Sequence, residues 1–146
     1  MIIREFKKED AEQVNNVIYN SVNTDQSLTE KAVLKIKKDA EPSFLIANSK
    51  KIDYFVCEED NKIVGVGALD NDELKTLYVL PEYRNRGIGS KLIEAREKRA
   101  RLKGIKKLFL YTHPSSEKFH LDNGFKIVKK FNDKAMDVVY MEKELT

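Results

Sequence analysis

The sequence has one cysteine, two histidines and no long apolar run, and each shortage excludes a class of protein. Cys57 alone cannot form an internal disulfide or a zinc site with several cysteines, and His113 and His120 are too few for a histidine-rich metal site. No run of about 18 apolar residues occurs, so no transmembrane helix is predicted. The N-terminus, MIIREFKKED, lacks the apolar segment of a signal peptide. We therefore expect a cytoplasmic protein that holds no metal.

Length and composition predict one folded domain. A chain of 146 residues is expected to form one domain over residues 1–146 and can bury roughly two thirds of its unfolded surface. Apolar residues make up 41% of the chain, which argues against wholesale disorder. The net charge of +3 is too small to indicate nucleic-acid binding by itself.

The hydrophobic pattern predicts a mixed α/β fold in the order βααβββαβαββ. Apolar positions at helical spacing predict helices at 8–22, 28–40, 87–103 and 114–123. Thr29 is the expected N-cap of the second helix. Residues 41–51 stay ambiguous, because Pro42 ends a helix while the apolar residues after it must pack somewhere.

Short apolar or alternating runs predict the strands of the fold, at residues 1–6, 54–58, 62–69, 73–80, 105–112, 125–131 and 136–144. Gly65 and Gly67 lie inside a strand, where glycine indicates a bulge or the close approach of another group. The crossover from residue 73 to residue 112 predicts two parallel strands. The second of them carries a nearly continuous apolar run, which predicts burial on both faces.

The most informative segment is residues 77–90, which read LYVLPEYRNRGIGS. A strand ends here, a turn containing Gly87 and Gly89 follows, and a helix begins. Glycines let successive backbone amides point into one concavity, and the helix N-terminus adds about half a positive charge. Arg84 and Arg86 add formal charge beside the turn. The segment is neither a P-loop nor a Rossmann fingerprint, and it predicts an anion site suited to phosphate.

This segment and its surroundings resemble the GCN5-related N-acetyltransferase (GNAT) superfamily. The family's pyrophosphate loop, Gln/Arg-x-x-Gly-x-Gly/Ala, is similar to residues 84–89, and the preceding Val-x-Pro-Glu-Tyr is similar to residues 79–83. Its third strand resembles residues 62–67, and its Phe-Tyr-x-x-x-Gly-Phe pattern resembles residues 119–125. The resemblance implies the GNAT acyl-CoA N-acyltransferase fold, a mixed α/β sheet of about seven strands with four helices and two central parallel strands that splay apart.

The resemblance also implies an enzyme that moves the acetyl group of acetyl-CoA to a primary amine by direct attack in a ternary complex. Backbone groups of Leu77 and Val79 would pair with the pantetheine arm, and the Val79 amide would polarise the thioester carbonyl as an oxyanion donor does. Amides of residues 86–90, with Arg84, would hold the pyrophosphate. The implied cofactor-binding residues are Leu77, Tyr78, Val79, Arg84, Asn85, Arg86, Gly87, Ile88, Gly89, Ser90, His113, Ser116 and Phe119.

Attack by a neutral amine needs a base for the ammonium and an acid for the leaving thiolate. Glu73 falls where histone-type family members carry a glutamate on the same strand, and it would act through water; otherwise it merely opens a strand. The family's acid is a tyrosine, where this chain has His120. Histidine has a pKa suited to proton transfer at neutral pH. Water, Tyr140 or a purely structural His120 are the alternatives.

Other functions stay open at this point. Arg96, Lys98, Arg99, Arg101 and Lys103 form a basic cluster, but without interleaved aromatics or a nucleic-acid motif it is more typical of a solvated helix face. A catalytically weak or inactive CoA-binding sensor or interaction module is the second alternative, because the family tyrosine is replaced. The acceptor amine is unassigned, no nucleic acid or membrane partner is expected, and a homodimer is left open.

The positive charge is concentrated in one part of the sequence. Residues 84–107 contain ten Lys or Arg and two Asp or Glu, whereas the remaining chain contains 17 basic and 22 acidic residues. This basic segment begins at the predicted pyrophosphate loop, so its charge suits a polyanion such as acetyl-CoA.

Overall fold

Seven strands form one mixed sheet in the computed structural model, which describes residues 1–146, and five α-helices pack against it. The strands are β1 (Ile2–Glu5), β2 (Asp53–Glu59), β3 (Lys62–Asp70), β4 (Glu73–Val79), β5 (Lys107–Thr112), β6 (Lys126–Asp133) and β7 (Met136–Glu144). The helices are α1 (Ala11–Asn23), α2 (Glu30–Asp39), α3 (Pro42–Asn48), α4 (Ile88–Leu102) and α5 (Glu117–Asp122).

Strand order in the sheet is β1-β2-β3-β4-β5-β7-β6. Every neighbouring pair is antiparallel except β4 and β5, which are parallel as predicted from the crossover. The mixed α/β class and the seven strands are thus confirmed. No helix combines the length and apolar character of a membrane span. No group of three or more His, Cys, Asp and Glu side chains is placed to hold a metal ion.

The prediction of four helices is wrong, because α3 forms in the ambiguous segment. Pro42 stands at the first position of α3, where its missing N–H is not needed and its fixed φ suits a helix. Leu45 of this helix is 1% exposed and packs in the core. The helix has only 7 residues, which is too short for a periodic pattern to identify.

The predicted N-cap of α2 is confirmed, since Thr29 Oγ1 accepts the Ala32 N–H at 3.2 Å.

Two hydrophobic clusters form the interior, and α4 contributes to both. Val14 and Val17 of α1 pack in the first cluster with buried residues of β2 and β3. Leu92 of α4 joins that cluster, whereas the adjacent Ile93 belongs to the second cluster, beside β5 and β7. Cys57 on β2 is fully buried in the first cluster, and burial raises the pKa of its thiol.

The predicted burial of β5 on both faces is wrong. Leu108 and Leu110 are buried in the second cluster, but Tyr111 is 54% exposed. Tyr111 and Phe109 lie on the opposite face, where their rings contact Tyr140 of β7. The apolar run of β5 therefore combines two faces of the strand. The aliphatic residues face the core, and the aromatic residues contact a neighbouring strand.

The parallel pair β4 and β5 is joined at one position only. Glu73 pairs with Phe109, and the Phe109 N–H donates to Asp72 O at 3.1 Å. Beyond Glu73 no further pairing joins the two strands. The sheet consequently opens between them, as the family resemblance implied.

A bulge in β4 accompanies this opening. Val66 of β3 pairs with Tyr78, but Ala68 pairs with Lys75, so one more residue stands on β4 than on β3 between these pairs. Thr76, within the bulge, has a φ of +54°, which is rare for a β-branched residue. The bulge lies in the part of β4 that β5 leaves unpaired.

Candidate functional site

Two adjoining cavities occupy the cleft between β4 and β5. The loop cavity, of about 1000 Å³, follows the end of β4 and the start of α4. The sheet cavity, of about 440 Å³, lies beside the β4 bulge and reaches β5 and β7. Both are lined by Asp25, Leu77, Tyr78, His113, Ser116 and Phe119. A ligand with a long arm could therefore extend from one cavity into the other.

The turn before α4 presents unpaired amides to the loop cavity. Gly87 caps the helix with a φ of +82°, and a side chain there would meet nothing within 4 Å. The first amide of α4 to bond within the helix is that of Lys91, which donates to Gly87 O at 3.0 Å. The preceding amides have no intrahelical acceptor and lie at the positive end of the helix dipole. This arrangement suits an anion such as a phosphate.

The two predicted loop arginines have different surroundings. Arg84 lines the loop cavity, and its Nε donates to Val79 O at 3.1 Å. Arg86 turns away, because its Nη2 donates to Glu82 O and its guanidinium lies 4.8 Å from the centre of the Tyr83 ring. All the predicted cofactor-binding residues line the loop cavity except Arg86, whose side chain lines neither cavity.

The second loop glycine lies against a neighbouring ring. A Cβ on Gly89 would lie 2.9 Å from Phe119 Cζ, which is closer than a side-chain carbon can approach. Phe119 on α5 therefore packs directly against the first turn of α4. This contact brings the predicted pyrophosphate loop and the predicted acid position on α5 to the same cleft.

Glu73, the predicted base, lines the sheet cavity together with His120, the predicted acid. Lys75 Nζ lies 3.7 Å from Glu73 Oε1. Burial raises the pKa of the Glu73 carboxyl, although the nearby Lys75 charge partly opposes that rise. A carboxyl with a raised pKa is a better proton acceptor than an exposed glutamate.

His120 is held as a neutral imidazole. The residue is 8% exposed, its ring meets Phe119 and Phe125 edge to face, and its Nδ1 has no hydrogen-bond partner. Burial, and secondarily the charge of Arg96, lowers its pKa to about 4. At neutral pH an imidazolium proton donor is therefore scarce at this position. The low pKa therefore argues against a charged His120 as the proton donor to the leaving thiolate.

The alternative acid Tyr140 lies outside both cavities. Its hydroxyl donates to Glu142 Oε2 at 2.7 Å, and this bond raises the pKa of Tyr140 to about 12. Tyr78 does line both cavities, and burial raises its pKa to about 12 as well. The Tyr78 phenol thus stays protonated at neutral pH and can donate a hydrogen bond in the cleft.

The cleft is also lined by residues outside the predicted site, and Arg96 and Asp25 are two of them. Arg96, expected in the solvated basic cluster, is instead 1% exposed and lines the sheet cavity from α4. Its spacing from Leu92 and Ala100 places it on the apolar face of the helix, and this is the sequence signal that could identify it. Asp25 has no local signal, because its contact with His113, 3.6 Å between Oδ2 and Nε2, joins residues far apart in sequence.

Comparison with known proteins gives one consistent family. The family model of the acetyltransferase (GNAT) domain matches residues 50–127. An amino-acid acetyltransferase of Pseudomonas fluorescens (strain Pf0-1) is 34% identical over 97 residues, which cover 58% of this chain and 22% of that protein. The chain thus spans well under two thirds of the curated relatives it matches.

Solved structures agree with the fold. The crystal structure of the PaiA N-acetyltransferase from Thermoplasma acidophilum in complex with coenzyme A has a TM-score of 0.83 at 27% identity and covers 98% of both chains. A GCN5-related N-acetyltransferase structure from Rhodopseudomonas palustris has a TM-score of 0.86 at 20% identity, covering 99% of this chain and 95% of that one.

The neutral His120 predicts a loss of stability in mild acid. Its folded pKa of about 4 lies below the unfolded value near 6.5, so the unfolded chain binds the proton first as the pH falls. The free energy of unfolding therefore declines from about pH 6.5 toward pH 4, and His120 accounts for about 2 kcal/mol between pH 7 and pH 4.5. Urea titrations at both pH values should show a smaller decline in His120→Phe than in the wild type.

The second histidine supplies the control. His113→Phe removes the other imidazole of the chain, near Asp25, and is the matched variant for comparison. Equal declines in the wild type and His120→Phe would contradict the neutral buried state of His120.

Proposed function

The chain belongs to the GNAT acetyltransferase family, and on this premise we propose that it transfers the acetyl group of acetyl-CoA to a primary amine. The observation that carries the proposal is the cleft between β4 and β5, with the unpaired amides of the α4 turn at one end and Glu73 at the other. The coenzyme A bound in the Thermoplasma acidophilum relative supports the choice of co-substrate. The free thiol of Cys57 agrees with a cytoplasmic location, where thiols are kept reduced.

The loop cavity is the proposed place of the CoA pyrophosphate. Amides at the start of α4 would donate to the phosphate oxygens, and Arg84 would add positive charge at the rim. The Arg86 side chain has no part in this contact, because it is engaged with Glu82 O and the Tyr83 ring.

The unpaired edge of β4 is the proposed place of the pantetheine arm. Beyond Glu73 this edge has no β5 partner, so the backbone groups of Leu77 and the Val79 amide are available to an extended ligand. The Val79 carbonyl already accepts from Arg84 Nε at 3.1 Å. The proposed role of Val79 is therefore limited to its amide, which would polarise the thioester carbonyl.

Glu73 is the proposed general base, acting through a water molecule. The acceptor arrives as an ammonium at neutral pH, and Glu73 would remove one proton before the nitrogen attacks the thioester. Asp25 and Asp137 also line the sheet cavity and would attract the cationic form of the acceptor. This charge pattern supports an amine acceptor, and the name of the Pseudomonas fluorescens relative makes amino acids one class to assay.

The leaving thiolate needs a proton, and His120 is proposed for this role only as a neutral hydrogen-bond donor. Its pKa of about 4 makes the imidazolium form scarce at pH 7. Tyr78 and water are the other proposed donors, since the Tyr78 phenol stays protonated in the same cleft.

Gly87→Glu should weaken acetyl-CoA binding at least tenfold, which is about 1.4 kcal/mol. The new carboxylate would repel the pyrophosphate and cover the amides of the α4 turn. Calorimetric titration with acetyl-CoA measures the effect. Gly104→Glu is the matched control, because Gly104 also has a positive φ, +77°, and a Cβ there would meet nothing within 4 Å, but it lies beyond the other end of α4. Both changes add similar backbone strain, so equal affinities in the two variants would overturn the assignment of the loop.

Glu73→Gln should lower kcat by at least about tenfold, because the amide cannot accept the ammonium proton. In the wild type, kcat rises with pH as Glu73 deprotonates, and this acidic limb lies above the usual range for glutamate. The limb should vanish in the variant. A pH series of initial rates with the best amine from a panel of polyamines, amino acids and peptides tests both points.

Asp70→Asn is the control for the loss of charge near this strand. Asp70 pairs with Lys75 at 2.9 Å and lines neither cavity. Its charge raises the pKa of Glu73, so Asp70→Asn should move the acidic limb to lower pH while keeping kcat near the wild-type value. An unchanged acidic limb in Glu73→Gln would remove Glu73 as the base.

A further inference from the structure

A positively charged side chain is buried beneath the β4 bulge without a carboxylate partner. Arg96 is 1% exposed, and its hydrogen bonds go only to backbone carbonyls: Nε donates to Leu92 O at 3.1 Å, and Nη1 donates to Ala68 O at 3.0 Å and to Lys75 O at 3.1 Å. Burying a charge costs several kcal/mol unless its donors are satisfied. Burial lowers the pKa of Arg96 to about 9, so the guanidinium is still charged at neutral pH.

The two carbonyls bound by Nη1 belong to β3 and β4, the two strands whose pairing contains the bulge. Ala68 on β3 pairs with Lys75 on β4, and the register shifts immediately after this pair. The guanidinium therefore joins the last regular pair of residues before Thr76. It holds both strands at the point where β4 leaves its regular register and separates from β5.

A glycine makes room for this guanidinium. A Cβ on Gly67 would lie 2.9 Å from Arg96 Nε and 3.0 Å from Arg96 Cζ. Gly67 stands on β3 opposite the bulge, between the residues that pair with Tyr78 and Lys75. The sequence predicts that Gly67 marks either a bulge or the close approach of another group. Gly67 lies at a bulge and is also closely approached by the Arg96 side chain of α4.

We propose that Arg96 is a positioning residue for acetyl transfer, which clamps the β4 bulge through Ala68 O and Lys75 O and so places the Leu77 and Val79 backbone groups in the cleft. The inference rests on the proposed function, because those groups are the ones assigned to the acetyl-CoA arm. Arg96 also lines the sheet cavity, and its Nη2 has no protein hydrogen-bond partner.

Three variants of α4 separate the clamp from the general stability of the helix. Arg96→Met removes the charge and every donor, Arg96→Lys keeps the charge but not the planar fork, and Lys98→Met removes an exposed basic side chain from the same helix as the control. Amide hydrogen exchange of residues 73–79 without ligand reads the clamp directly. Steady-state kinetics with acetyl-CoA and the best amine reads its consequence.

The expected pattern is specific to positioning. Arg96→Met should exchange those amides of 73–79 that bond to β3 at least about tenfold faster, and its kcat should fall at least about tenfold, because small displacements of positioning groups have effects of this size. KM for acetyl-CoA should rise by less than kcat falls, since the pyrophosphate loop is unaltered. Arg96→Lys should recover part of both losses, and Lys98→Met should match the wild type. Wild-type exchange in 73–79 for Arg96→Met would overturn the proposal, and so would wild-type kcat in the folded variant.

A second set of variants tests the contact between Gly67 and Arg96. Gly67→Ala presses a methyl group on the guanidinium and should lower kcat as Arg96→Met does. In the Arg96→Met background the same change should lower kcat by less than about twofold, because the clamp is already lost. If the two effects multiply, the residues act independently and the proposal is wrong. If Arg96→Met does not fold, Arg96→Lys and Gly67→Ala decide the question.

The exchange and kinetic measurements also distinguish a failure of the clamp proposal from a failure of the proposed function. Absence of acetyl transfer by the wild type over the whole amine panel would remove the function and leave the exchange arm intact. Exchange of 73–79 that is unchanged in Arg96→Lys and Gly67→Ala would remove the clamp even if the wild type is an active enzyme.

Discussion

The separation of β4 from β5 is the constraint on which the site depends. One paired position, Glu73 with Phe109, joins the two parallel strands, and the two cavities lie in the gap beyond it. A central strand without a partner on one side has unsatisfied backbone groups, which are costly when buried. An extended ligand in the place of the missing strand would satisfy those groups. The unpaired backbone groups of β4 therefore weaken the sheet and, at the same time, offer hydrogen bonds to an extended ligand of suitable length.

Several contacts keep this gap from closing or fraying. α4 packs in both hydrophobic clusters through Leu92 and Ile93, so it supports the sheet on either side of the opening. Phe119 packs on Gly89, which joins α5 to the start of α4. The basic residues of α4 thus act in different ways according to the face of the helix they occupy. Arg96 acts inside through carbonyl groups, whereas Arg99 lies at the surface and pairs with Glu5 and Asp53.

Most of the fold can be predicted because the strands and long helices have strong local patterns. The α4 turn is also predictable, since its glycines and the helix that follows indicate a turn with unpaired amides without reference to distant residues. The errors arise where tertiary packing decides the outcome. α3 is too short to show a period, and the exposed face of β5 depends on Tyr140 of another strand. Arg96 resembles a surface charge by residue type, and only its position on the apolar face of α4 indicates otherwise. The neutral state of His120 depends on burial, which the sequence around it does not reveal.

The buried Cys57 has a chemical consequence for the proposed acetyl transfer, in which the co-substrate is a thioester. Thiolates exchange readily with thioesters, so an accessible cysteine near acetyl-CoA would compete with the acceptor amine. The only thiol of this chain is 0% exposed and its raised pKa keeps it protonated. This chain thus offers no nucleophilic sulfur of its own. In an assay of the proposed transfer with this chain, free CoA would then be the only reactive thiol released, so a colorimetric thiol reagent would follow the reaction continuously without a background from the protein.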